Sequence, residues 1–190
     1  MTDMIPRPAR ERILSAAYDL FTRRGVKDVT VSEIIQRSGV AIATFYRQFG
    51  SKEKLVEACL ERRAQVWTTD SIVTEARERS RDARGALLAI FDIFDEWFNG
   101  DSFEGDSFVN VLIEMGSQHA LGRASIVHLA RVRRSVFELA VEAELRDPDG
   151  FAHSYQILMV GSAIASTMGD KLAARRAQKM VENLLAEHSP

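Results

Sequence analysis

Residues 31–54 read VSEIIQRSGVAIATFYRQFGSKEK, and this stretch decides the fold of the amino-terminal part of the chain. An apolar helical face that includes Ile34 precedes Gly39, and a second apolar face with Phe45 and Phe49 follows it. Glycine is the residue that most readily ends a helix in a left-handed conformation. The pattern therefore predicts two short helices joined by a tight turn, with another helix opening directly afterwards.

The residues before this stretch carry the signals that begin and end helices. Apolar residues at three- and four-residue spacing predict a first helix from about Ala9 to Arg24, and Gly25 follows as a helix stop. Thr30 and Glu33 stand at the spacing of a capping box, in which each side chain accepts a hydrogen bond from the other residue's backbone amide. The second helix is therefore expected to begin at Thr30 or Val31.

Two short helices joined by a glycine turn form a helix-turn-helix, in which the second helix enters the major groove of DNA. The outward positions of that second helix carry groups that can bond to phosphates or base edges: Thr44, Tyr46, Arg47 and Gln48. The alternative for Tyr46 is a half-buried ring that ties this helix to the first one. Val40, Phe45 and Phe49 are expected in the core.

The distribution of charge points the same way. The 190-residue chain has a formal net charge of -2, yet residues 1–54 contain ten Lys and Arg against six Asp and Glu, a balance of +4 that leaves -6 for the rest. A basic segment on an acidic body is expected when only one end of a protein meets a polyanion. The 46% hydrophobic composition predicts a folded protein with one large or two small domains.

Membrane and disulfide-stabilised classes are disfavoured by the sequence. The first residues lack the apolar run of a signal peptide, and the longest nearly apolar stretch, Ile157 to Gly169, is too short to cross a bilayer. A cytoplasmic location is therefore expected. Cys59 is the one cysteine, so no intramolecular disulfide can form, and we expect it to be a small buried hydrophobe.

No motif in the sequence indicates catalysis, a metal or a cofactor. P-loop, GxGxxG and GxSxG sequences are all absent. The enzyme alternative is a carboxylate metal site built from Asp92, Asp95, Glu114 and His119. Glu114 and His119 are five residues apart, however, and not at the Glu-x-x-His spacing that such bundles use. We therefore predict no catalytic residue, no metal ligand and no cofactor.

The stretch from Gly39 to Leu55 closely resembles the DNA-binding signature of the tetracycline-repressor (TetR) family of bacterial regulators. The resemblance extends back through Thr30-Val-Ser-Glu-Ile-Ile to the Ile13-Leu-x-Ala-Ala-x-x-Leu-Phe21 helix. In the carboxyl-terminal part, Phe108-Val-Asn110 and Gly169-Asp-x-x-Ala-Ala-Arg-Arg176 are similar to one type common in that family. The resemblance implies a DNA-binding transcription regulator that is not an enzyme.

Carried over position by position, the resemblance implies two sets of DNA contacts. One set binds phosphates and fixes the register of the recognition helix: Thr44, Tyr46 and Lys52. The other set meets base edges: Ser32, Ile42, Ala43, Arg47 and Gln48. Family members usually carry a polar residue where Ala41 and Ile42 stand, and the apolar side chains here can only pack, for instance on a thymine methyl group.

The rest of the sequence predicts longer helices. We expect an all-α fold of about nine helices, with a helix-turn-helix domain over residues 1–54 and a helical body over residues 55–190. The resemblance implies that this body binds an effector and forms the dimer. The Arg-rich stretch from Thr74 to Arg84 is expected to be a helix end followed by a loop.

The segment from Ile157 to Met168 is apolar nearly all round and contains small residues such as Gly161, so it must be covered on more than one side. The resemblance implies a homodimer that packs this helix and the last one against their twins. The alternative is a central helix buried within one monomer. A dimer would present two recognition helices about 34 to 36 Å apart to a pseudo-palindromic operator in double-stranded DNA.

Large apolar side chains of the body are candidates for an effector pocket: Phe91, Phe94, Trp97, Phe98, Phe108, Met115, Phe137 and Met159. The resemblance implies that they enclose a small hydrophobic effector whose binding releases a repressor from DNA. Polar residues near these faces would orient a ligand if they point inward: Asn110, Glu114, Gln118, His119 and His128. From the residues alone, a plain core is the alternative, and a filled interior would favour a regulator that senses a protein partner.

Overall fold

The computed structural model describes residues 8–66, 69–100, 103 and 105–190. Within these ranges every regular element is an α-helix, which confirms the all-α class. In chain order the helices are α1 (Ala9–Arg24), α2 (Val31–Ser38), α3 (Ile42–Phe49), α4 (Lys52–Val66), α5 (Thr69–Glu78), α6 (Ala83–Asn99), α7 (Ser107–Met115), α8 (Ala120–Glu142), α9 (Pro148–Thr167) and α10 (Ala173–Glu187).

The described residues form ten helices, where about nine were expected, because α4 and α5 are separate helices. The Arg-rich stretch from Thr74 is the end of a helix, at Glu78, and a loop before α6, as predicted. Ala76 is fully buried and Ile72 and Val73 pack against the core of the body, so one face of α5 is apolar. A guanidinium nitrogen of Arg77, near the end of α5, lies 2.5 Å from a carboxylate oxygen of Glu142 on α8. This ion pair joins the end of α5 to α8.

The capping box at the start of α2 is confirmed. The Thr30 hydroxyl accepts a hydrogen bond from the Glu33 amide at 3.2 Å, and the Glu33 carboxylate accepts one from the Thr30 amide at 2.7 Å. The bond from the Thr30 backbone, followed by that from Arg24, lowers the pKa of Glu33 to about 2. Gly39 ends α2 in the left-handed region, with φ of 63°. Both ends of α2 are thus set by the residues that the sequence singled out.

Thr30→Ala is expected to lower the free energy of unfolding by about 1 kcal/mol, because the amide of Glu33 loses its acceptor at the helix end. Chemical denaturation followed by circular dichroism measures this change. Thr74→Ala is the matched control, since Thr74 is exposed inside α5 and caps no helix. Equal stability of the Thr30 variant and the wild type would show that the box contributes nothing.

Buried apolar side chains form three clusters. The first joins α1 to α4 around Ile13, Ile34 and Phe45, each fully buried. The second fills the body between α5, α6, α8, α9 and α10. The third, which we call the junction cluster, comprises Val26, Val56, Leu60, Phe108, Val111 and Leu121 and lies between the two larger units.

Helix α4 belongs to both units. Leu55 and Cys59 pack into the amino-terminal cluster, whereas Val56 and Leu60 pack into the junction cluster. Burial raises the pKa of the Cys59 thiol to about 12, as for a core cysteine. A boundary after residue 54 therefore falls within the first turn of a helix that ties the units together. None of the helices in the described ranges is long and apolar enough to span a membrane.

Candidate nucleic-acid interface and interior cavities

Helix α3 has one buried face and one exposed face. Phe45 is fully buried and Phe49 is 9% exposed, whereas Ile42 is 62% exposed and Tyr46 is 51% exposed. The Tyr46 ring meets Phe45 edge-on, with centroids 5.2 Å apart, but half of the side chain remains accessible. The outward face is therefore free to meet another molecule.

The predicted phosphate-binding residues lie on α3 and at the start of α4. Thr44 and Lys52 are half-buried, and Tyr46 is exposed. Lys52 is the first residue of α4, and the Ser51 hydroxyl accepts a hydrogen bond from the Lys54 amide at 3.2 Å. A helix amino-terminus combined with an ammonium group is a favourable place for a phosphate.

The predicted base-reading residues are all exposed: Ser32 on α2, and Ile42, Ala43, Arg47 and Gln48 on α3. Ala41 precedes α3 and provides no side-chain cap, so the first amides of this helix have no side-chain acceptor from that position. Amides at the end of a helix can themselves bond to phosphate. Because Ala41 has no polar side chain, the first backbone amides of α3 remain available as donors. A polar residue at this position would have accepted a hydrogen bond from one of them.

Ion pairs and hydrogen bonds hold α1 against α2. The Arg37 guanidinium on α2 lies 2.9 Å from the Asp19 carboxylate on α1, and Arg12 of α1 donates to the Gly39 carbonyl at 3.3 Å. The Arg24 guanidinium lies 2.6 Å from the Glu33 carboxylate. These bonds, with the amino-terminal cluster, fix the angle at which α3 is presented.

Glu114, at the end of α7, joins the body to the loop after α1. Its carboxylate accepts hydrogen bonds from the amides of Val26, at 2.7 Å, and Lys27. The Lys27 ammonium donates to the Glu114 carbonyl at 2.5 Å. Gly25 has φ of +82°, and a Cβ added there would lie 3.0 Å from the Glu114 carboxylate. We call these bonds the Glu114 clamp.

No local sequence pattern predicts this clamp, because 87 and 88 residues separate its partners. A lone glutamate near the end of a helix has many possible surroundings, and we considered Glu114 as a ligand-orienting or metal-binding residue. Its bonds are made instead to the backbone of the helix-turn-helix unit. The contact is visible only once the packing of α7 against α1 is known.

A body cavity of about 90 Å³ lies among α6, α8 and α9. Half of the side chains proposed for an effector pocket line it: Phe94, Trp97, Phe108 and Met159. The Arg63 guanidinium stacks over the Trp97 ring, 5.1 Å from its centroid. Asp106 and Gln156 are polar lining residues that the sequence did not single out.

The other proposed pocket residues lie elsewhere. Phe91 and Phe98 are packed into the body core, with exposed fractions of 0% and 2%. Met115 packs against the junction cluster, and the Phe137 ring lies under the Arg134 guanidinium at 4.9 Å. An aromatic stripe along one helix faces several neighbours, so spacing alone does not separate its cavity-lining members from its core members.

His128 stands at one wall of the body cavity. Its ring stacks on Phe108 with centroids 3.5 Å apart and an interplanar angle of 9°. Burial lowers the pKa of His128, the Asp106 carboxylate opposes that shift, and Arg131 adds to it. Of the polar residues considered as ligand-orienting groups, His128 is the one that lines this cavity.

Stability is expected to fall on acidification through His128. A histidine with a lowered folded pKa contributes stability that is complete above its unfolded value, near 6.5, and is lost as the pH falls towards the folded value. Wild type should therefore lose more thermal stability between pH 7.5 and 5.5 than His128→Gln, by calorimetry. Parallel pH dependence of the two proteins would contradict this effect.

The four residues considered for a metal site lie at three different places in the fold. Asp92 and Asp95 flank the Arg175 guanidinium, at 2.6 and 3.0 Å. The His119 ring nitrogen accepts a hydrogen bond from the Leu121 amide and caps α8, and Glu114 forms the clamp described above. In the described residues, each of these groups thus has a structural partner.

Comparison with known proteins supports the interpretation of the amino-terminal unit as a helix-turn-helix of a transcription regulator. Residues 13–59 match the family model described as bacterial regulatory proteins, tetR family. HTH-type transcriptional regulator YvkB of Bacillus subtilis is 43% identical over 54 residues, which are 28% of this chain and 29% of that protein. SrpR, an HTH-type transcriptional regulator of Pseudomonas putida, is 28% identical over 126 residues, which are 66% of this chain and 54% of that protein. The alignments thus span well under two thirds of these two relatives.

The similarity extends over the whole fold at the level of structure. The crystal structure of SCO4454, a TetR-family transcriptional regulator from Streptomyces coelicolor, superposes with a TM-score of 0.86. The match covers 96% of each chain at 26% sequence identity. The body of the molecule therefore shares its helical arrangement with a regulator of that family.

Proposed function

We propose that this chain is a homodimeric repressor of the TetR family, released from its operator by a small hydrophobic effector; the match of residues 13–59 to the tetR family model and the similarity of the fold to SCO4454 support the family. The exposed face of α3 carries this proposal, since it places five predicted base-reading or phosphate-binding side chains in solvent without a partner helix. In this proposal residues 1–54 bind DNA, residues 55–190 bind the effector and the second protomer, and the protein acts in the cytoplasm.

In the proposed DNA complex, Thr44, Tyr46 and Lys52 bind phosphates. Arg47 and Gln48 make paired hydrogen bonds to a purine edge. Ile42 is apolar and 62% exposed on the face that would enter the groove. Contact with a thymine methyl group would give this side chain the apolar cover that the protein does not provide.

Dimerisation is supported by an apolar stripe on α9. Ile157 and Ile164 are 71% and 42% exposed on one face of α9, with the exposed Gly161 between them, and Met168, directly after the helix, is 83% exposed. Met180 on α10 is 55% exposed. Contiguous apolar surface of this kind is normally covered by a partner. A second copy would cover it through an isologous contact, with the small Gly161 allowing close approach.

The body cavity supports the effector part of the proposal. Its apolar walls and its few polar groups fit a small hydrophobic ligand. Its volume of about 90 Å³ is well below the roughly 300 to 1,000 Å³ of drug-sized sites. This small volume is the observation that favours the second candidate, a regulator that senses a protein partner instead of a metabolite.

Titration of the dimer with DNA from upstream of its own gene tests the proposed function. Binding should weaken steeply as salt rises, because phosphate contacts release counterions. A panel of small hydrophobic compounds should include some that weaken binding by about 5-fold to 150-fold. Tight binding that no member of the panel changes would favour the protein-sensing alternative, and a requirement for a co-ligand would contradict release by an effector.

A further inference from the structure

The first turn of α1 carries three consecutive charged residues, Arg10, Glu11 and Arg12. Successive side chains of a helix point about 100° apart, so three neighbours face three directions. Here the three directions lead to the end of α3, to α4, and to the turn between α2 and α3. One turn of α1 thus contacts all three helices of the helix-turn-helix region that follow it.

Arg12 contacts the turn in front of α3. Its guanidinium donates to the Gly39 carbonyl at 3.3 Å, and Gly39 ends α2. The last carbonyls of a helix have no partner within the helix and lie at the negative end of its dipole, so a cation is favourable there. Ala41, just before α3, has an apolar side chain that cannot cap the helix. Arg12 therefore helps to fix the point at which the chain leaves α2 for α3.

Arg10 contacts the other end of α3. Its guanidinium carbon lies 5.2 Å from the centre of the Phe49 ring, and Phe49 is the last residue of α3. A cation above an aromatic face is attracted to it, and the aliphatic part of an arginine covers apolar surface. The two arginines therefore contact the chain before α3 and at its last residue, and we call these contacts the arginine bracket.

Glu11 links the arginine bracket to α4. Its carboxylate lies 2.9 Å from the Arg62 guanidinium, and the two side chains are 43% and 47% exposed. Exposed contacts of this kind contribute little to the stability of a fold. They can still favour one orientation of a short helix, and α3 has eight residues. Loss of the arginine bracket should therefore alter the orientation of α3 more than the stability of the protein.

We propose that Arg10 and Arg12 are positioning residues for the recognition of base edges: they hold α3 in the orientation that DNA requires and do not themselves touch DNA. This inference rests on the proposed function, in which α3 enters the major groove. Paired hydrogen bonds from Arg47 or Gln48 to a base depend on the direction of the side chain. Phosphate contacts carry no direct sequence information. Loss of the arginine bracket should therefore weaken operator binding more than binding to unrelated DNA.

Arg10→Gln combined with Arg12→Gln tests the proposal in the full-length protein. If each protomer then presents α3 correctly about one third of the time, the dimer binds its operator about tenfold more weakly. Affinity for unrelated DNA of the same length should change by less than about twofold, and the slope of log affinity against log salt should stay the same. Fluorescence anisotropy measures both affinities, and circular dichroism shows whether the variant is folded at the assay temperature.

Arg134→Gln is the matched control for the loss of a stacked arginine. Arg134 also lies over an aromatic ring, that of Phe137 at 4.9 Å, but it is on α8 in the body. This variant should bind operator and unrelated DNA as wild type does. A tenfold loss of operator affinity here would show that charge alone explains the effect, and it would overturn the positioning role.

The double variant also separates positioning from direct phosphate contact. Two phosphate-binding arginines in each protomer would give four contacts, and their loss would lower the salt slope by about 3.6 and weaken binding to both kinds of DNA alike. That result would overturn the proposal, and so would operator affinity equal to that of wild type. A wild type that does not distinguish operator from unrelated DNA would contradict the proposed function itself, and this inference with it.

A double-mutant cycle tests whether Arg10 acts through Phe49. Phe49→Leu keeps an apolar side chain in the amino-terminal cluster and removes the aromatic face. Arg10→Gln should weaken operator binding about threefold in the wild-type background and should have no effect in the Phe49→Leu background. Equal losses in the two backgrounds would show that Arg10 acts elsewhere and would overturn its assignment.

Discussion

Tyr46→Ala combined with Lys52→Ala is expected to weaken operator binding by about a thousandfold. Each protomer loses two phosphate contacts, so a bound dimer loses four, and a loss of about 1 kcal/mol at each gives this factor. Because Tyr46 is half exposed and Lys52 opens α4, neither substitution removes a core side chain. Fluorescence anisotropy with labelled operator DNA measures the change.

Two controls separate phosphate binding from other roles of these side chains. Lys179→Ala removes a cation on α10, far along the chain from α3, and should leave operator affinity unchanged. Tyr46→Phe keeps the ring that meets Phe45 and removes only the hydroxyl. If Tyr46→Phe binds DNA as wild type does while Tyr46→Ala binds weakly, the ring acts in packing and the phosphate assignment is wrong.

Ile157→Glu combined with Ile164→Glu is expected to convert the dimer to a monomer and to weaken operator binding by roughly 100-fold or more. The two residues lie on the exposed stripe of α9, and a symmetric dimer would bury four glutamates there. A monomer has one recognition helix, so it also loses the gain in effective concentration that the second recognition helix of a dimer provides. Sedimentation velocity and operator titration measure the two effects.

Ile113→Glu is the matched control for the dimer variant. Ile113 is 72% exposed, as open as the α9 residues, but it lies on α7. We expect this variant to remain dimeric and to bind operator DNA as wild type does. A dimer that survives both glutamates on α9 would contradict the proposed interface and would favour a different pairing of the protomers.

Local signals made the amino-terminal unit predictable. Its helix ends are set by neighbouring residues: Gly25 after α1, the Thr30 and Glu33 box before α2, and Gly39 after it. The four-residue spacing of Phe45 and Phe49, about one helical turn, assigned both to the core. The sequence therefore predicted the ends of α1 and α2 to within about one residue, and these elements carried part of the family resemblance.

Non-local contacts limited the prediction of the body. The separation of α4 from α5 was missed, and the pairing of Arg77 with Glu142, 65 residues away, was not predicted. The aromatic stripe of α6 was predicted, but Phe94 faces a cavity while Phe91 packs against Tyr155 at 5.3 Å. The angles at which α6 crosses the other helices decide which of its aromatic side chains face the cavity and which pack into the core. The spacing of residues along α6 does not specify those angles.

The most direct test of the central claim is selection of binding sites by the purified protein from a library of random double-stranded DNA. A dimer that reads DNA through two copies of α3 should enrich a pseudo-palindrome whose half-sites are centred about 34 to 36 Å, or one helical turn, apart. Arg47→Ala should relax the preference at one position in each half-site. Enrichment of a single unrepeated site, or of no sequence at all, would contradict the account of this protein as a dimeric operator-binding regulator.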